Sequence, residues 1–183
     1  MLSKFTSAVD ELNEKVGHGV AWLALVLVLV QFTVVIMRYV FSFGFIAVQE
    51  TIWYMHGLIF MLGAGYTLLL DGHVRVDVIY REASPRFKAW VDLIGTFGLL
   101  LPLCILTIWF SRGYVINAWR VLEGSHEESG LPLIYLYKTV IWAFAVFLVL
   151  QGLAMAAKAW IFLSGEGDSY PPKSNSGTSG EGA

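Results

Sequence analysis

Charge is what this 183-residue sequence has least of. Asp, Glu, Lys and Arg make up 14% of it, against roughly 25% in an average soluble domain. Apolar residues reach 57%, and that count leaves out 18 glycines. A soluble chain this short keeps a large share of its surface wet and could not hide so much apolar area. The composition therefore indicates a membrane protein. The formal net charge of −2 offers nothing to nucleic acid or another polyanion. A single cysteine, Cys104 inside an apolar run, excludes an intrachain disulfide and a multi-cysteine metal site. Also missing are a Gly-rich phosphate loop, a nucleophile–base pair and any carboxylate in the middle of an apolar stretch. The last absence argues against a coupled ion pump or a small multidrug exporter. No enzyme activity, cofactor or metal is expected.

What is there is long apolar runs. A helix needs about 20 residues to cross the hydrocarbon, and four stretches supply them: residues 20–37, 51–70, 93–110 and 139–157. Each must satisfy its own backbone hydrogen bonds in lipid, so each reads as helix. The expectation is an all-α integral membrane protein with one four-helix domain over residues 20–160. The first 19 residues carry Lys4, Asp10, Glu11, Glu14 and Lys15 without an apolar centre, which is not a signal peptide. Phe5, Val9, Leu12 and Val16 recur there at helical spacing. That suits a short amphipathic helix on the membrane surface; a frayed polar start is the other reading. The Gly-, Ser- and Pro-rich stretch 161–183 is expected to be a disordered tail.

Lys and Arg counts set the orientation. With the N-terminus cytoplasmic, eight basic residues lie inside, Arg75, Arg81, Arg86 and Lys88 among them. Four lie outside: Arg38, Arg112, Arg120 and Lys138. Both termini are then inside, and Glu123, Glu127 and Glu128 are outside. The first gap between spans brings Arg38 and Glu50 close enough for an outer ion pair. Their functional reading is a contact point for a partner subunit, with Trp53 one turn on in the aromatic belt; the alternative is an ordinary interfacial pair. His56 lies about two turns into the second span; its functional readings are a proton carrier or a haem ligand, and the alternative is a histidine facing Gly or Thr of a neighbouring helix. His18, His73 and His126 all fall outside the spans, so a second axial ligand is lacking.

The densest polar run is Asp71-Gly72-His73-Val74-Arg75-Val76-Asp77. Asp-Gly makes a turn, and His73, Arg75 and Asp77 alternate with valines. The reading is a structural turn held by an Arg75–Asp77 pair, within a cytoplasmic interfacial segment between helices two and three. Ser84-Pro85 restarts the helix, with Ser as cap and Pro at the first position. Pro102 sits mid-span and should kink the third helix. Gly95, Gly98, Gly152 and Ala156 offer smooth faces for close helix packing.

Arg38-Tyr39-Val40-Phe41, Gln49-Glu50, Leu62-Gly63-Ala64-Gly65-Tyr66-Thr67 and above all Gly72-His73-Val74-Arg75-Val76-Asp77 resemble the small membrane subunit of TRAP (tripartite ATP-independent periplasmic) transporters, the DctQ type. The resemblance runs roughly from Val16 to Trp160. Glu123-Gly124-Ser125 with Gly130-Leu131-Pro132 is similar to one branch of that family. Many members carry two adjacent acids where this sequence has Gln49-Glu50. The resemblance implies a non-enzymatic scaffold subunit in a bacterial or archaeal inner membrane. Its partners would be a large permease subunit of the DctM type, driven by sodium, and a periplasmic binding protein that delivers an organic acid. The branch leans towards a 2-oxo or 2-hydroxy monocarboxylate. A haem-binding or quinone-linked membrane anchor of a redox complex is the rival reading, resting on His56.

Overall fold

The computed structural model describes residues 2–73, 83–165 and 170. They form four long helices: α1 (Leu2–Tyr39), α2 (Ile46–Leu69), α3 (Pro85–Val121) and α4 (Ile134–Leu163). All four are long and apolar enough to cross a membrane, and they cover the four expected spans. The tail begins later than expected, because α4 runs on through residues 161–163. Arg75 and Asp77 lie outside the described residues; His73 is described and exposed.

No break separates an amphipathic segment from the first span. Leu2–Tyr39 is one helix of 38 residues, about 57 Å at 1.5 Å per residue, well beyond a hydrocarbon core of about 30 Å. The face it buries overlaps the apolar stripe read from the sequence only in part. Thr6, Val9, Asn13 and Gly17 are buried, while Phe5 and Leu12 are exposed. Gly17 explains why a glycine here does not stop the helix: a Cβ at that position would run into the Tyr66 ring of α2. The missing side chain lets the two backbones come close.

The helix ends follow local chemistry. Ser84 caps α3 by accepting the Phe87 N–H at 3.4 Å, with Pro85 in the first turn. α2 ends in a Schellman motif, with the Gly72 N–H donating to the Thr67 carbonyl at 2.9 Å and the Asp71 N–H to that of Leu68 at 3.3 Å. The left-handed position belongs to Asp71, φ 59°, not to the glycine after it. α3 ends in the same way, with Leu122 left-handed at φ 47°, its N–H donating to Trp119 and that of Glu123 to Ala118.

Pro102 leaves its mark inside α3. It has no N–H to give, and its ring crowds the carbonyl four residues back. Just before it, Thr96–Leu100 forms a π turn, in which the Leu101 N–H reaches back five residues to the Thr96 carbonyl. The wider turn makes room for the ring.

α4 is the hub. It packs against α1, α2 and α3, whereas α3 packs mainly on α4. A third of α4's apolar stretch is buried, against none of α1's. The buried positions are mostly small: Ala145, Gly152, Ala154, Ala156 and Ala159. Lipid gives apolar side chains no reason to leave it, so close backbone approach holds such helices together. Gly152 lies against Leu100 and Thr96 of α3 as expected, but Gly95 and Gly98 have nothing within 4 Å and face outwards. Cys104, Ala145 and Leu148 form a buried centre with Ala64, Leu68 and Ile108. Tyr170 departs from the expected disorder. It is buried against Ala89 and Ala159, and its hydroxyl donates to Asp92 at 2.5 Å.

Candidate functional site

Two polar clusters stand at opposite ends of the bundle. The first lies where α2 begins and where the loop between α3 and α4 folds back. Glu50, in the first turns of α2, is only 9% exposed. Its carboxylate accepts the Leu131 N–H at 2.6 Å on one oxygen and the Ser125 hydroxyl on the other. Ser125 also accepts the Glu127 N–H at 3.1 Å, and its own N–H donates to the Leu131 carbonyl at 3.1 Å. Gly130 is required by this geometry, since a Cβ there would strike the Ser125 side chain and come within 2.8 Å of Glu50. One buried carboxylate thus ties two points of the loop to the start of α2.

A second anchor lies beside it. Lys138 of α4 donates to both Glu123 oxygens, at 2.8 and 2.6 Å, and its ammonium sits 3.8 Å from the centre of the Tyr114 ring. Two indoles brace α3 against α4 here. Trp119 Nε1 donates to Thr139 at 2.7 Å, and Trp142 Nε1 to Ser111 at 3.1 Å.

The structure brings Glu50 and the loop holding Glu123, Glu127 and Glu128 to the same end, as the sequence reading expected. It divides them by role. Glu50 and Glu123 are engaged within the chain, while Glu127 and Glu128 are exposed, as are Arg38 and Trp53. The expected Arg38–Glu50 ion pair does not form. Glu50 turns inward to Ser125 and Leu131, and Arg38 is left exposed at the end of α1. A buried carboxylate is better satisfied by two fixed donors than by a long side chain reaching in from the rim.

The second cluster was not foreseen. At the other end, Asn13 Nδ2 donates to Gln151 Oε1 at 2.8 Å, Gln151 Nε2 donates to Asp10 at 3.2 Å, and Lys158 pairs with Asp10 at 2.5 Å. Asn13 is fully buried and Gln151 nearly so. The network joins the first half of α1 to the second half of α4. The signal in the sequence was spacing: Asp10, Asn13 and Gly17 share a helix face, as do Gln151 and Lys158. His56 is exposed, with its ring 4.6 Å from that of Phe60. Among the described residues, no three His, Cys, Asp or Glu gather as a metal site. The redox-anchor reading gains no support.

Four apolar helices, a hub rich in small residues and polar groups spent on helix contacts are the marks of a multi-pass membrane protein. Over residues 9–161 the chain matches the family described as tripartite ATP-independent periplasmic transporters, DctQ component. It belongs to that family, and is therefore the small subunit of a TRAP transporter. No curated protein and no solved structure matches it significantly.

Proposed function

We propose that this chain is the scaffold subunit of a sodium-coupled importer of an organic acid, and that its pinned loop helps to dock the binding protein. The observation that carries this is the Glu50 anchor. A buried carboxylate holds the segment from Ser125 to Leu131 in one shape, and the same segment carries Glu127 and Glu128 into solvent. A docking rim needs both fixed geometry and free charge. The large exposed apolar area of α1, from Trp22 through Phe32, suits a chain that shares the bilayer with a large permease subunit. The Lys and Arg balance supports an inner-membrane topology with both termini in the cytoplasm, which puts the loop in the periplasm.

Reconstitution tests the proposal. The large permease, this chain and the binding protein should together take up an organic acid in proteoliposomes under a sodium gradient. Leaving this chain out should abolish uptake. Undiminished uptake without it, or transport by this chain alone, would overturn the scaffold reading.

A further inference from the structure

Between the last turns of α3 and the first turns of α4 lies a shallow cleft of about 560 Å³, lined by Ile116, Trp119, Arg120, Thr139 and Trp142. Its walls are apolar and fixed. The Trp119 N–H donates to Thr139, and the Thr139 hydroxyl donates to the Tyr135 carbonyl at 2.9 Å. The Trp142 N–H is taken by Ser111. Trp119 is further held edge-on to Tyr135, with the ring centres 4.8 Å apart. Every polar group of these walls is therefore already engaged. Arg120, at the rim, is exposed and makes no ion pair with any described residue.

These features select the occupant. A peptide segment brings backbone N–H and C=O groups that need partners when they are buried, and these walls have none to spare. A free phosphate would engage Arg120 but gain nothing from two indoles. An acyl chain needs no partners, and a headgroup phosphate needs one guanidinium. Tryptophans at the edge of a span are also the usual neighbours of headgroups. We infer that this cleft is a binding site for one anionic phospholipid, its phosphate on Arg120 and an acyl chain between Trp119, Trp142 and Ile116.

The test is native mass spectrometry of the full chain released from nanodiscs of phosphatidylglycerol and phosphatidylcholine in equal parts. The expected result is one retained phosphatidylglycerol, preferred about fivefold, the weight of one basic residue against an anionic membrane surface. Arg120→Gln should remove the preference, and Arg120→Lys should keep most of it. Ile116→Trp, which fills the cleft and leaves the charge, should lose the lipid altogether. Arg112→Gln is the control: its guanidinium lies over Trp109 at 4.5 Å, outside the cleft, and retention should not change. Equal retention by wild type and Arg120→Gln would overturn the site. So would an equal loss in Arg112→Gln, which would reduce the effect to general charge. Unchanged lipid retention in Ile116→Trp, with loss of the large permease on co-purification, would make the cleft a protein contact instead.

Discussion

The carboxylate of Glu50 accepts the backbone N–H of Leu131, 81 residues further along the chain, at 2.6 Å. It is the long-range tie between the start of α2 and the loop that leads into α4, and Ser125 doubles it from the other oxygen. Glu50→Ala should free the loop while leaving the helices packed. Limited proteolysis should cut between Glu123 and Leu133 several-fold faster than in wild type, with the helical circular-dichroism signal unchanged. Gly130→Ala should act in the same direction, because its Cβ displaces Ser125. A loop that stays equally resistant in both variants would remove Glu50 as the anchor.

Glu127 and Glu128 are exposed on that loop. Reversing both to Lys should slow binding-protein-dependent uptake without disturbing the complex of small and large subunits. Charged rims act mainly on encounter, so the defect should shrink as salt is raised and the screening length falls below about 8 Å. Uptake rates at low and high ionic strength check this. Rates unchanged at both would leave these glutamates as ordinary loop residues.

Gln151 joins Asn13 and Asp10 across α1 and α4. Gln151→Leu should lower stability by about 0.5–1.5 kcal/mol, the range for hydrogen bonds between helices in membranes. Thermal unfolding in detergent reads it. The loss should be smaller in an Asn13→Ala background, where one of the two bonds is already gone.

Leu122 is left-handed and largely exposed. A non-glycine residue there carries about 1–2 kcal/mol of strain, partly offset by the backbone entropy a glycine would lose. Leu122→Gly should therefore stabilise the end of α3 by about 0.5–1 kcal/mol. Hydrogen exchange of the Glu123 amide, which closes the motif onto Ala118, should slow in step; faster exchange would contradict the account.

A Cβ added at Gly95 or Gly98 would meet nothing within 4 Å beyond its own helix backbone. Replacing either by Ala should stabilise the isolated subunit by up to about 1 kcal/mol, the difference in helix propensity. Melting of the subunit alone, and co-purification with the large permease, give two independent readings. A gain in the first with a loss in the second would place the large subunit on this face of α3.

The apolar runs made the four spans legible, since length and composition decide what can cross a bilayer. The caps at Ser84 and Pro85 were legible for a similar reason: they depend on residues a few places apart. Less legible were the inferences that needed a distant partner, although Gly152 does meet α3 as its small size suggests. The spacing of Arg38 and Glu50 suggested a pair, but Glu50 is claimed by donors from beyond α3. Phe5, Val9, Leu12 and Val16 suggested a surface helix; of these Val9 is buried, on a face where Asn13 meets Gln151 of α4 and Gly17 meets Tyr66 of α2. In lipid, an apolar stripe no longer says which face is buried, and small or polar residues take over that role.

The π turn at Thr96–Leu100 has a consequence for chain length. It holds one residue more than an α-helical turn, so α3 can lose a residue here and keep the phase that sets Cys104, Val115 and Ala118 against α4. Gly98, where even an added Cβ would meet open space, is the residue to drop. Pro102 stands in the way, because a tightened turn brings its ring back onto the carbonyl, at about 3 kcal/mol. Deleting Gly98 should therefore damage the protein on its own and be tolerated together with Pro102→Ala. Thermal melts of the two single variants and the pair would show whether insertion and proline form one matched unit of the sequence.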